Sequence, residues 1–155
     1  MTELPKVRVA VPADYPQIIA MGEKLHEENG HMEIDYPTAE AAIMQAINQQ
    51  QSIIGVIGPV GGIQGIVFLR IASFWNSRKL FAEELFLYVV PEFRKGTHNA
   101  KALLLWARES AKKLKLPLMI GVMSNERTRA KLRLYQKQLG APIGGYFFFF
   151  FLPTR

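Results

Sequence analysis

Three β-rich runs near the middle of the chain constrain its fold more than any other feature. Residues 53–57, 63–71 and 80–90 are rich in branched and aromatic side chains. A glycine-containing loop at 58–62 joins the first two runs, and a polar turn at 76–78 joins the last two. Because runs of this composition joined by short turns pair as antiparallel strands, we predict an antiparallel sheet at the centre of the fold.

Apolar residues recur at helical spacing on both sides of these runs. Two helices are predicted before the runs: the first stops at Gly30, and the second is capped by Thr38. After the runs, we predict one helix over 98–115 and another that begins at Ser124 or Asn125.

Three further runs complete the predicted order of elements. Residues 7–11 and 118–123 are short strands, and residues 143–152, with five consecutive phenylalanines, form a strand apolar on both faces. The order predicts an α/β (mixed α+β) fold, with a mixed, mostly antiparallel sheet flanked by about four helices, in a single domain over 1–155. The phenylalanine run is most simply buried; the alternative is an edge that pairs with a second copy as a homodimer.

The composition excludes several kinds of site. The chain has no cysteine, which rules out disulfides, thiolate metal sites and a cysteine nucleophile. Its three histidines are His26, His31 and His98, a set too sparse for a zinc site, so no metal is expected. A polar N-terminus without a long apolar segment predicts no membrane association and a cytoplasmic location.

The formal charge of +6 is concentrated in the second half of the chain and suits an anionic partner. A nucleic acid or a polyphosphate cofactor would fit this charge, although solvated helix faces explain most of it more simply. The sequence lacks the aromatic-and-basic strands of single-strand binders and any recognition helix, which argues against nucleic acid.

The stretch from Leu87 to Ala100 joins the end of a predicted strand to the start of a helix. Its sequence is LYVVPEFRKGTHNA. A helix that begins after such a loop gathers unpaired N–H groups at its positive end, and such an end binds phosphate. Arg94 and Lys95 add charged donors, so the stretch is predicted to hold a diphosphate. A basic turn with no ligand is the plainer alternative.

Residues 87–94 resemble the strand of GNAT acetyltransferases that leads into the pyrophosphate loop, and 134–140 resembles the tyrosine-containing helix end of that family. The family's element order is similar to the predicted order over nearly the whole chain. The loop departs from the family pattern, because Thr97 and Asn99 stand where glycine and glycine or alanine are usual. A divergent loop of this kind resembles GNAT-like proteins of tailed phages.

The resemblance implies an N-acyltransferase that moves an acetyl group from acetyl-CoA to a primary amine of a small molecule or a protein. Acetyl-CoA and the amine acceptor are then its partners. A GNAT-like protein that binds acyl-CoA without turnover is the alternative. The residues implied to contact coenzyme A are Leu87, Tyr88, Val89, Arg94, Lys95, Gly96, Thr97, His98, Asn99, Ala100 and Asn125.

The resemblance also implies catalytic roles. A strand glutamate of the family often deprotonates the amine; Glu84 is the first choice here and Glu83 the second, since alternation sends them to opposite faces. Tyr135 matches the tyrosine that protonates the departing sulfur. The alternatives are a charged sheet edge for the glutamates and a core anchor for Tyr135. The first two helices and the loop at 29–37 are expected to select the acceptor.

Overall fold

The computed structural model describes residues 3–124 and 127–149. The chain separates into two compact units, Met1–Ile120 and Gly121–Arg155. The first unit contains the sheet and the helices before residue 120, and the second contains one described helix. A single domain over 1–155 stays a prediction.

Five strands form one mixed sheet in the order β1-β2-β3-β4-β5. The first four pair antiparallel, and β5 runs parallel to β4. The composition and the short turns predicted the antiparallel pairing of β2, β3 and β4. The predicted mixed α/β fold with a mostly antiparallel sheet is confirmed. The strands are β1 (Val7–Val9), β2 (Ser52–Ile57), β3 (Gly65–Ser73), β4 (Leu80–Val89) and β5 (Leu118–Met119).

Four α-helices are present in the described residues, as predicted: α1 (Tyr15–Asn29), α2 (Tyr36–Ile47), α3 (Asn99–Lys113) and α4 (Thr128–Leu139).

Two predicted helix caps are wrong. Asp35 is the N-cap of α2, and its carboxylate accepts a hydrogen bond from the Thr38 N–H at 3.1 Å. The proline that follows in the first turn favours this earlier start. The N-cap of α4 is Arg127, and Ser124 lies before the helix, where its hydroxyl accepts a bond from the Arg127 N–H at 3.1 Å.

Two predicted strands are shorter or absent. The run predicted over 118–123 pairs only at Leu118–Met119. Residues 143–149 form no strand, and Phe147 is fully exposed, so the prediction of a buried strand is wrong there; residues 150–152 lie outside the described part of the chain. Apolar composition does not by itself supply a neighbouring edge with which a strand can pair.

Helices cover both faces of the sheet. On one face, Ile18 and Met21 of α1 and Ile43 of α2 join a buried cluster with Ile54 and Phe68.

On the opposite face, Leu103, Leu104 and Ala107 of α3 are fully buried. Gly55 lies under this helix, and a Cβ there would come within 2.7 Å of the Trp106 ring. The start of α3 lies beside the end of β4, because Gln64 accepts hydrogen bonds from both the Val90 N–H and the Asn99 side chain. In the described residues no helix is long and apolar enough to cross a membrane.

Candidate active site

A β-bulge interrupts β4 at Leu85. Phe68 pairs with Phe86 whereas Leu69 pairs with Glu84, so Leu85 is an extra residue on this strand. A bulge bends its strand and changes the direction of its side chains. Leu85 and Phe86 consequently line the same cavity although they are consecutive.

The end of β4 has a partner strand on one side. Leu87, Tyr88 and Val89 are buried and pair with β3. On the other side, β5 pairs only with Ala82 and Glu83, so β5 leaves the last part of the β4 edge uncovered. Main-chain groups at such an edge need a partner, which a ligand can supply.

The loop after β4 presents several backbone N–H groups without an internal acceptor. It begins with a 3₁₀ turn at Pro91–Phe93, and Gly96 and His98 adopt left-handed φ values of 70° and 55°. Among the described residues, the N–H groups of Lys95, Gly96 and His98 have no hydrogen-bond acceptor. The first N–H groups of α3 likewise have no acceptor within the helix. This end of α3 is therefore suited to an anion.

The two residues that depart from the GNAT pattern hold the loop together. Asn99 is only 2% exposed, and its amide nitrogen donates to the Gln64 side chain at 3.3 Å and to the Phe93 carbonyl at 3.2 Å. The Thr97 hydroxyl donates to the same carbonyl and accepts from the Asn99 N–H at 3.3 Å. Both side chains are thus engaged within the protein, so a ligand would meet the backbone N–H groups of the loop and the exposed Lys95 side chain.

Arg94 links this loop to α1. Its Nε donates to the Val89 carbonyl at 2.7 Å, and its Nη2 lies 2.8 and 2.9 Å from the two carboxylate oxygens of Glu28. Its guanidinium also lies 5.3 Å from the centre of the Tyr88 ring. Burial, together with the nearby Glu28 charge, raises the pKa of Tyr88. Lys95 is the exposed basic side chain of the loop.

Glu28 and Gln64 have no signal in the sequence that connects them to the loop. Glu28 is 66 residues from Arg94, and Gln64 is 35 residues from Asn99. Only the fold brings these partners together.

The two candidate bases lie on opposite faces of the sheet. Glu83 pairs with Arg70, and its carboxylate lies 2.7 Å from the Arg70 Nε. Arg70 follows Phe68 by two residues on β3, so Glu83, Arg70 and Phe68 lie on the same face of the sheet. Glu84 stands opposite Leu69, on the face covered by α3, and is half-buried. The register therefore favours Glu83, the second choice from the sequence, as the base for an acceptor bound on the face that α1 and α2 cover.

A cavity of about 200 Å³ lies between α1, α2 and the bulge of β4. The described residues of its wall are apolar except for Glu23 and Tyr36, and the Tyr36 hydroxyl donates to the Glu23 carboxylate at 3.2 Å. The hydrogen bond to Glu23, together with the negative charge of Glu23, raises the pKa of Tyr36. Ile34 of the loop at 29–37 completes the wall.

The remaining predicted site residues lie in the second half of the chain. Tyr135 is on α4 in the second unit and is 7% exposed. Asn125 lies outside the described residues. Over residues 3–124 and 127–149, no group of three His, Asp or Glu side chains could hold a metal ion.

Solved structures share this architecture. AAC(6')-Iy, solved in complex with the bisubstrate analog CoA-S-monomethyl-acetylneamine, superposes with a TM-score of 0.71 at 14% identity over 95% of this chain and 97% of that chain. An acetyltransferase from Trypanosoma brucei gives 0.65 at 20% identity, over 95% and 99% of the two chains. A transcriptional regulator from Bacillus halodurans C-125 gives 0.69 at 18% identity, over 96% and 99%.

The fold is that of the GNAT acetyltransferases. A scan against models of protein families and a search of curated proteins gave no match. At 14 to 20% identity, the likeness to the three solved structures is one of fold.

Proposed function

We propose that the protein is an N-acyltransferase that transfers an acetyl group from acetyl-CoA to a primary amine. The observation that carries this proposal is the loop after Arg94, where N–H groups without an acceptor among the described residues lie at the start of α3, beside the part of the β4 edge that β5 does not cover. The GNAT fold supports it, as does the coenzyme A analog bound to AAC(6')-Iy.

The residues present fit the parts of coenzyme A. The N–H groups of Lys95, Gly96 and His98, with the start of α3, would hold the diphosphate, and the Lys95 ammonium adds a charged donor. The main-chain groups on the part of the β4 edge that β5 does not cover would form hydrogen bonds with the amides of the pantetheine arm. When bound, acetyl-CoA supplies an activated acyl group as a thioester.

The chain's own residues would manage the protons. In the net reaction a C–N bond forms, the C–S bond breaks, and one proton of the amine ends on the thiol. An acceptor that binds as an ammonium must first lose a further proton, which Glu83 or Glu84 would accept. The proton donated to the sulfur would come from Tyr135, a role that rests on the family resemblance.

The test is coenzyme binding followed by turnover. Acetyl-CoA is expected to raise the melting temperature, because a ligand that binds only the folded state stabilises it. Free coenzyme is then expected when a panel of primary amines is added. A protein that shows no response to acetyl-CoA would contradict the proposal.

A second candidate is a protein that binds acyl-CoA without turnover. The side chains of Thr97 and Asn99, which occupy the loop where the family has small residues, favour it. Thermal stabilisation by acetyl-CoA without coenzyme release from any amine would support this candidate. A cytoplasmic location, a homodimer and the resemblance to phage proteins stay predictions.

A further inference from the structure

The cavity between α1, α2 and β4 has a size and lining that select among amines. At about 200 Å³ it slightly exceeds the roughly 150 Å³ apolar cavity known to bind benzene, and it is smaller than the about 300–1,000 Å³ pockets of drug-sized ligands. Ile18, Ile43, Phe68 and Phe86 contribute to its wall. It therefore fits one aromatic ring or a short aliphatic chain.

Among residues 3–124 and 127–149, Glu23 is the only charged side chain that lines this cavity. It is half-buried, and no Lys or Arg of the described residues lies within 4.0 Å of its carboxylate. The hydrogen bond from Tyr36 uses one of about four acceptor positions of the carboxylate. The group can thus accept further bonds from a cation at the edge of an apolar cavity.

We infer that the acceptor is a small primary amine with an apolar body, whose ammonium binds Glu23 while its aliphatic or aryl body fills the cavity. This inference rests on the proposed function and adds the substrate class. Glu23 is assigned to binding the ammonium, not to accepting its proton. Glu83 lies on the same face of the sheet as Phe68, which is part of the cavity wall.

The same lining disfavours polyhydroxylated amines. A sugar ring placed against isoleucine and phenylalanine side chains would leave its hydroxyls without partners, and each such group is costly to bury. Although AAC(6')-Iy binds an analog that contains acetylneamine, we expect neamine to be a poor acceptor for this chain.

Matched ligands test the inference on the full chain without coenzyme. Phenethylamine and phenethyl alcohol share an apolar body and differ in charge. Because both ligands would donate to the same carboxylate but only the ammonium carries an opposite charge of its own, we expect the amine to bind at least about tenfold more tightly in calorimetric titrations. Equal affinities, or no binding of either compound, would overturn the inference.

Two variants and one control locate the effect. Glu23→Gln is expected to remove the preference for the amine, whereas Glu27→Gln, on the exposed side of α1, makes the same charge change and should keep it. Ala42→Phe is expected to weaken the binding of both compounds, because the larger side chain would fill the cavity. This variant tests the inference even if Glu23→Gln lowers the stability of the protein. Preference retained in Glu23→Gln, or unchanged affinities in Ala42→Phe, would count against the assignment.

Turnover separates this inference from the proposed function. Acetyl transfer to phenethylamine that exceeds transfer to neamine would support the inference. Transfer to neamine alone would overturn it and leave the acyltransferase intact. Amine binding in a protein that ignores acetyl-CoA would contradict the proposed function, while the amine site itself would stand.

Discussion

Replacing Glu28 by glutamine should weaken both the fold and the coenzyme loop. The side chains of Arg94 and Glu28 are 15% and 32% exposed, and the guanidinium makes two charged hydrogen bonds to the carboxylate. A glutamine side chain keeps one acceptor oxygen but not the charge. The loss corresponds to about one hydrogen bond to a charged group, and with allowance for the exposed part of Glu28 we expect about 1–2 kcal/mol.

Urea unfolding at neutral pH measures this loss, and titration with acetyl-CoA reports the effect on the loop. Coenzyme affinity is expected to fall in Glu28→Gln, because Arg94 would no longer fix the loop to α1. Glu27→Gln is the control, since its pair with Lys24 is two-thirds exposed and should contribute at most about 0.5 kcal/mol. Equal stabilities of the two variants would refute this account of Arg94.

Three further predictions concern other residues. Asp14 is fully buried and bonded to Arg8, whose hydrogen bond lowers the pKa of Asp14; Asp14→Asn should cost about 3 kcal/mol at pH 7. Because the folded-state pKa is lowered, this difference should persist above about pH 4 and shrink as the pH falls through the folded value, as pH-dependent unfolding would show. Tyr135→Phe should lower kcat much more than acetyl-CoA affinity, and equal losses would indicate a structural tyrosine. Glu83→Gln should lower kcat more than Glu84→Gln, and the reverse order would return Glu84 to first choice.

Local signals in the sequence predicted most of the sheet and the helices. The β-rich runs and the turns between them gave the antiparallel order of β2, β3 and β4, because neighbouring runs joined by short turns pair with each other. The cap of α2 was misplaced by three residues, since Asp35 and Thr38 are both good caps and only the backbone decides between them.

Pairing between distant segments was less predictable. The run at 118–123 pairs over two residues, and 143–149 does not pair, although both are as apolar as a strand requires. The bulge at Leu85 also has no local signature, yet it turns two consecutive side chains to one cavity. These features depend on which edge is available in the folded sheet.

The loop of the candidate site was located from sequence because a strand, a basic turn and a helix follow each other along the chain. The side chains that hold this loop in place could not be located from the sequence, since Glu28 and Gln64 lie far from the loop along the chain. Glu23 was missed for the same reason, because nothing near it in the sequence indicates that α1, α2 and β4 enclose a cavity around it.

The most direct test of the proposed coenzyme site is a titration of ¹⁵N-labelled protein with coenzyme A, followed by the backbone amide signals of the loop. Our account predicts that the signals of Lys95, Gly96, His98 and Ala100 shift most, because their N–H groups gain a diphosphate acceptor. Saturable binding that leaves these four signals unchanged while others move would contradict it.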